Sequence, residues 1–282
     1  MEFTDEQMGI AKRLSYGAEL FRKFYHKDDS FQKQFEDNFQ ALVCFFENYA
    51  YERQGAAPAY PEIALTVLKN KFNNITRTIT IEDARAAWRD YKEIAESKYN
   101  GLRVNKTHNP MNSDSGLLAL MAKRNIPNLA TYTRNLTQNR QTEAAHTLID
   151  DIRGIGTKIA SLYLRDIVYL AKIPEETITD QYYLQPVDTW IEQTLSIIFG
   201  KEKPKTLVGQ QEVIVELCQA ADVSPIAFSQ GAWMLGSEVA GDYSTFQQLA
   251  KGQNAKAIIK EHFEEMERYV SYAKQWLQNW PE

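Results

Sequence analysis

Lys158 stands directly after the run Gly154-Ile155-Gly156-Thr157, and Asp188 follows Pro186 and Val187 further along the chain. Two glycines one apolar residue apart permit a very tight turn between helices. Glycine tolerates positive φ and lets a foreign backbone come close. Ile155 anchors such a turn in a core. The N–H groups that open the following helix then face outward, and with the helix dipole they bind phosphate. Gly154, Gly156 and Thr157 are therefore the candidate phosphate contacts. A grip of that kind holds a nucleic-acid backbone without reading its sequence. A lysine at the positive end of a helix dipole is electrostatically out of place, which suits a nucleophile, because only a neutral amine attacks carbon. An aspartate at a helix N-cap serves as a carboxylate. Read singly, these are a helix corner, a surface lysine and a cap. Read together, they point to covalent chemistry on a nucleic-acid backbone. The run is no dinucleotide fingerprint, because no strand pattern precedes it and the third glycine is missing.

The elements around these residues read as helices almost throughout. Asp5 to Tyr25 puts Met8, Ala11, Leu14, Ala18, Phe21 and Tyr25 on one stripe. Phe31 to Tyr51 continues the pattern with Phe35, Phe39, Leu42, Phe46 and Tyr49. A short helix is expected at Ile63–Lys69, and a longer one at Ile81–Lys98 with Ala84, Ala87, Trp88, Tyr91 and Ala95 inward. Tyr99 to Ser115 is rich in Asn, Gly and Pro and reads as a loop or linker. Leu117–Lys123, Asn128–Asn135, Gln141–Ile152, Thr157–Ala171 and Thr189–Phe199 follow as helices, the last capped by Asp188. Ser224 with Pro225 starts Ile226–Val239, and Asn254–Trp280 reads as a long amphipathic helix with Ile258, Ile259, Phe263, Met266, Val270, Ala273 and Leu277 inward. The fold class is all-α. The expected division is 1–105, 106–205 and 206–282, with the last segment packing back on the first.

Composition bounds the partners. The chain has 282 residues, a net charge of −5 and 44% apolar residues, enough for a sizeable core. Its two cysteines, Cys44 and Cys218, cannot make a disulfide framework, a four-thiolate zinc site or a cysteine-ligated iron–sulfur cluster. The four histidines share no ligand spacing with each other or with the cysteines, so no metal site is expected from side chains. The opening residues lack a signal-peptide pattern and no apolar run is long enough for a membrane span. A protein of the cytoplasm (nucleoid) or nucleus, not secreted, is expected. The acidity is uneven. Lys98, Arg103, Lys106, Lys123, Arg124, Arg134 and Arg140 face one acid, Asp114, between residues 98 and 142, a surface suited to phosphate.

Gly-Ile-Gly-Thr-Lys followed by Pro-Val-Asp resembles the helix–hairpin–helix DNA glycosylases of the endonuclease III superfamily, and within it the 8-oxoguanine DNA glycosylases. The matching core runs from about Leu148 to Leu195. Two departures stand out. The position before Gly154, proline in that family, is Arg153, and the Lys-to-Asp spacing is closer to that of the archaeal type. The resemblance implies a two-lobed all-α fold of the helix–hairpin–helix type with its active site in the cleft between lobes. It implies Lys158 as the Schiff-base nucleophile and Asp188 as the catalytic carboxylate. Oxidised guanine in double-stranded DNA would be the substrate, removed by a monomer that needs no cofactor. A monovalent cation on hairpin carbonyls accompanies the motif in the family. A glutamine and an aromatic about one helical turn apart read the flipped base there, and Gln230 and Trp233 are the matching candidates. The alternatives are a non-catalytic DNA-binding module and a monofunctional glycosylase that uses Asp188 with water.

Overall fold

Side-chain caps start most of the helices. The computed structural model of the chain describes residues 2–25, 29–52, 57–99, 102, 104 and 108–265. In chain order they form α1 (Asp5–Tyr25), α2 (Asp29–Lys33), α3 (Asn38–Asn48), α4 (Ala59–Phe72), α5 (Ile81–Lys98), α6 (Leu117–Arg124) and α7 (Leu129–Gln138). Next come α8 (Thr142–Asp150), α9 (Thr157–Leu170), α10 (Thr189–Phe199), α11 (Leu207–Ala220), α12 (Pro225–Trp233), α13 (Tyr243–Ala250) and α14 (Ala255–Glu265). Every long regular element among the described residues is helical, so the fold is all-α. No helix among them is long and apolar enough to cross a membrane.

Asp37 caps α3 by accepting from the N–H groups of Phe39 and Gln40, and Thr80 forms a reciprocal capping box with Asp83 at α5. Asn128, Thr206, Ser224 and Asp242 cap α7, α11, α12 and α13 in the same way. The one helix expected over Phe31–Tyr51 is instead α2 and α3, separated by a turn at residues 34–36. The apolar stripe runs through that break, since Phe35 and Phe39 are one helical turn apart, which is why spacing alone hides it. Helix α4 begins earlier and ends later than expected. Met266, Val270, Ala273 and Leu277 lie outside the described residues, as does the side chain of Phe263.

The chain packs as two units. One joins Met1–Lys27 to Leu184–Glu282, and the other is Asp28–Tyr183. These cross the boundaries expected at 105/106 and 205/206. The reason is long-range packing that no local pattern reveals. Helix α1 lies along α12, and a Cβ on Gly231 would stand 1.7 Å from the Leu14 carbonyl oxygen, so only glycine lets the backbones meet this closely. Every residue from Pro225 to Ala232 is buried. Leu14, Leu20, Phe228, Leu235 and Phe246 form the centre of this unit's core, and each such side chain contributes about 1.5–3 kcal/mol on burial. After α12 the helix widens into a π-helical segment, Met234–Ala240, whose Gly236 accepts the Trp190 ring against its backbone.

In the second unit, α4 packs between α3 and α5, α6 packs on α5, and α7 packs on α3, α8 and α9. All five predicted inward residues of α5 are buried. Helix α9 is tied down by a buried hydrogen bond as well as by packing. Arg165 Nε donates to Asp166 Oδ1 at 2.9 Å, and the Tyr49 hydroxyl at the end of α3 donates to Asp166 Oδ2 at 3.1 Å. Tyr163 packs edge-on against Phe45 and Tyr49, with ring centroids 5.3 and 5.1 Å away. Removing Arg165 from its buried ion pair with Asp166 would cost about 3–5 kcal/mol. Because α9 begins at Thr157, this anchoring fixes the helix that carries Lys158.

Candidate functional site: a glycine hairpin and its brace

Helices α8 and α9 are joined by a turn over Asp151–Gly156. Ile152 and Ile155 are buried beneath it, and the Ile155 N–H donates to the Ile152 carbonyl at 2.9 Å. The two glycines do different work. Gly154 has φ +84°, and a Cβ there would lie 2.4 Å from the His108 carbonyl oxygen. It is glycine because the backbone turns left-handed and the 108–116 loop sits against it. Gly156 is the N-cap of α9 with ordinary extended angles, φ −131° and ψ 174°. It is exposed, and a Cβ on it would meet no atom within 4 Å. No internal contact accounts for glycine at this position.

The first N–H groups of a helix have no partner within the helix. Among the described residues, no acceptor is found for the N–H groups of Gly154, Gly156, Thr157 or Lys158. Ile159 and Ala160 donate back to the Gly156 carbonyl at 2.9 and 3.0 Å. Lys158 is exposed in the first turn of α9. The Thr157 hydroxyl donates at the surface to Asp150 Oδ1 at 3.3 Å, which leaves its backbone N–H as its open donor.

The loop before α6 braces the turn. Arg153 donates its backbone N–H to the Ser115 carbonyl at 2.8 Å and its Nε to the Ser115 hydroxyl at 2.9 Å. Proline at position 153 would lose the first of these bonds. The loop is itself stiffened by asparagines. Asn109 Oδ1 accepts from the Met111 N–H at 2.9 Å, and Asn112 Oδ1 accepts from the N–H groups of Asp114 and Ser115 at 2.9 and 3.1 Å. Expected only as a loop or linker, this segment holds the hairpin. Its Asn-Pro and Asn-Ser-Asp runs are the turn chemistry that signals it.

Behind the hairpin lies His146 of α8, 5% exposed. Its Nε2 is 3.3 Å from the Thr157 carbonyl oxygen and 3.3 Å from the Ser161 hydroxyl. Burial holds its pKa below the ordinary histidine value. The ring of Tyr183 packs on it at 4.9 Å, and Tyr182 stacks on Tyr183 at 4.4 Å. The hydrogen bond between these two phenols, more than burial, pushes the Tyr183 hydroxyl pKa up.

The charge around the hairpin is mixed. Lys98, Arg124 and Arg140 are exposed. Arg134 lies over the Phe35 ring at 5.4 Å, and the Lys123 amine donates to the Asp114 carbonyl. Arg124 shares a groove with Tyr132, Glu143 and Asp151. Arg103 and Lys106 lie outside the described residues. Asp150 and Asp151, both exposed, place two negative charges where the turn begins.

The remaining candidates belong to the other unit. Asp188 caps α10, its Oδ1 accepting from the Ile191 N–H at 2.9 Å. Gln230 is fully buried in α12, and its Oε1 accepts from Arg22 Nε at 2.9 Å. Trp233 is half-buried, edge-on to Phe21 and Tyr25 at 5.8 and 5.2 Å. Gly154, Gly156, Thr157 and Lys158 thus stand together on one hairpin, while Asp188, Gln230 and Trp233 stand in the unit that contains α1 and α12. No family model, curated protein or solved structure matches the chain.

Proposed function

We propose that the chain is a DNA glycosylase with an associated abasic-site lyase activity, acting in base-excision repair on oxidised guanine in double-stranded DNA. The observation that carries the reading is Gly156. Its backbone is unstrained, its Cβ direction is open, its N–H is without an acceptor among the described residues, and exposed Lys158 is two residues away. A glycine whose Cβ direction is open leaves the surface clear for an outside chain, and the donors around it suit a phosphate. In this reading the fold is a two-lobed helix–hairpin–helix arrangement with the active site in the cleft between lobes.

A base inside duplex DNA is out of reach, so the nucleotide is flipped out at a cost of about a few kcal/mol. The Lys158 amine attacks the sugar C1′, and the bond to the base breaks with its electron pair leaving on the base. Loss of the amine proton and ring opening give a Schiff base. That cation acidifies the C2′ proton, whose removal expels the 3′ phosphate and nicks the strand. The Asp188 carboxylate stabilises the positive charge that develops on the sugar. Trp233 is the proposed base reader, acting by stacking; Gln230, the other candidate, is fully buried with its Oε1 held by Arg22 and does not reach a flipped base in this structure.

Borohydride trapping tests this. Duplex carrying oxidised guanine or an abasic site is incubated with protein and reductant, and the products are run on a denaturing gel. A covalent adduct that disappears in Lys158→Gln is the expected result. Base release without an adduct indicates a monofunctional glycosylase working through Asp188 and water. Duplex binding with neither adduct nor base release indicates a non-catalytic module.

A further inference from the structure

We propose that His146 is a positioning residue of the hairpin, fixing through its Nε2–H the first turn of α9 and so the place from which the Lys158 side chain starts. The proposal rests on the lyase reading for its functional consequence, but the geometry stands apart from it. A carbonyl oxygen only accepts, so a bond between Nε2 and the Thr157 oxygen, 3.3 Å apart, puts the proton on Nε2. The same nitrogen lies 3.3 Å from the Ser161 hydroxyl. Thr157 and Ser161 are one helical turn apart and bracket Lys158 in the sequence. The Nε2–H donated to the Thr157 oxygen leaves no lone pair on that nitrogen, so the Ser161 oxygen can only share the same proton, and His146 ties the first turn of α9 to α8.

Side-chain chemistry supports this over simple filling. His146 is 5% exposed, and an apolar residue would pack there without an unmet donor. The Tyr183 ring at 4.9 Å closes the imidazole in, with Tyr182 stacked beyond it. The other side-chain bond across the hairpin, from the Thr157 hydroxyl to Asp150, is exposed to water. The His146–Thr157 contact is part-buried and the His146–Ser161 contact is buried.

The test uses the full chain with two substitutions. His146→Leu fills the space without a donor, and His146→Gln restores an amide N–H at similar reach. With an abasic duplex at saturating concentration, His146→Leu is expected to slow borohydride-trapped adduct formation roughly 10–100-fold, since displacements near 1 Å cost about that much. His146→Gln is expected to recover most of the rate. In the absence of DNA, amide exchange at Ile159, Ala160 and Ser161 should quicken in His146→Leu while the far end of α9 keeps its rates. Nitrogen-15 spectra of the wild-type imidazole should show the Nε2–H tautomer. A wild-type adduct rate in His146→Leu, equal losses in both variants, unchanged exchange in the first turn, or an Nδ1–H tautomer overturns the proposal. If the wild-type protein forms no adduct, the lyase reading fails, and the exchange and tautomer measurements alone decide the role of His146.

Discussion

Alanine at Gly156 and alanine at Gly154 should separate binding from folding. At Gly156 the angles suit any residue, and a Cβ meets nothing within 4 Å. Alanine lowers the entropy of the unfolded chain, worth about 0.4–1 kcal/mol in favour of the variant. It is also a poorer N-cap than glycine, and cap changes cost about 0.5–2 kcal/mol. The two effects largely cancel, so Gly156→Ala should unfold in urea within about 1 kcal/mol of the parent. At Gly154, alanine must hold φ +84° with its Cβ 2.4 Å from the His108 carbonyl oxygen. The left-handed backbone costs about 1–2 kcal/mol and the overlap about 1–3 kcal/mol more. Fluorescence anisotropy with a labelled duplex at fixed salt supplies the other half. Obstructing one N–H bond to a phosphate removes about 1.5–3 kcal/mol, so Gly156→Ala should bind roughly 10–100-fold more weakly. Its preference among bases should not change. A Gly156→Ala protein that binds as tightly as the parent refutes the phosphate grip. A Gly154→Ala protein of parental stability refutes the account of the brace.

Asp188→Asn keeps a good N-cap, so stability and duplex affinity should hold while base release is lost; normal turnover removes Asp188 from the mechanism. Duplex affinity should fall linearly on a log–log plot against salt, and Arg124→Gln or Arg140→Gln should each reduce the slope by roughly one. A flat salt profile discredits the phosphate role given to residues 98–142. Burial, reinforced by Asp166, pushes the Cys44 thiol up to about 12, and Cys218 is also buried. Neither should react with a thiol reagent at pH 8 until the chain unfolds, and rapid labelling of the native protein would contradict the packing around α3.

Much of the fold was legible wherever a cap and an apolar stripe coincide. Helix α1 runs over Asp5–Tyr25 as its spacing predicts, although Tyr25 is 39% exposed rather than inward. Asp188 caps α10, and Ser224 with Pro225 starts α12. Helix α11 was not singled out, and it buries Gln210 and Gln211, polar residues at inward positions that blur the stripe. Of the site, the glycine turn and the exposed lysine could be read locally. The brace could not, because Ser115 and Arg153 come together only in three dimensions. The same holds for Asp166, whose Tyr49 partner lies on another helix. The split of the first unit around the second was invisible for the same reason, since nothing in the spacing of α1 names Gly231 as its neighbour.

That split sets an order of events during synthesis. Helix α1 leaves the ribosome well before α12, the helix it lies along, and all of Asp28–Tyr183 is made in between. At translation speeds of about 5–20 residues per second, α1 waits roughly 10–40 s with Ile10, Leu14 and Leu20 uncovered. The nascent chain thus presents a sticky amphipathic segment that a holdase chaperone could shelter, while the intervening stretch has all of its own sequence with which to fold first.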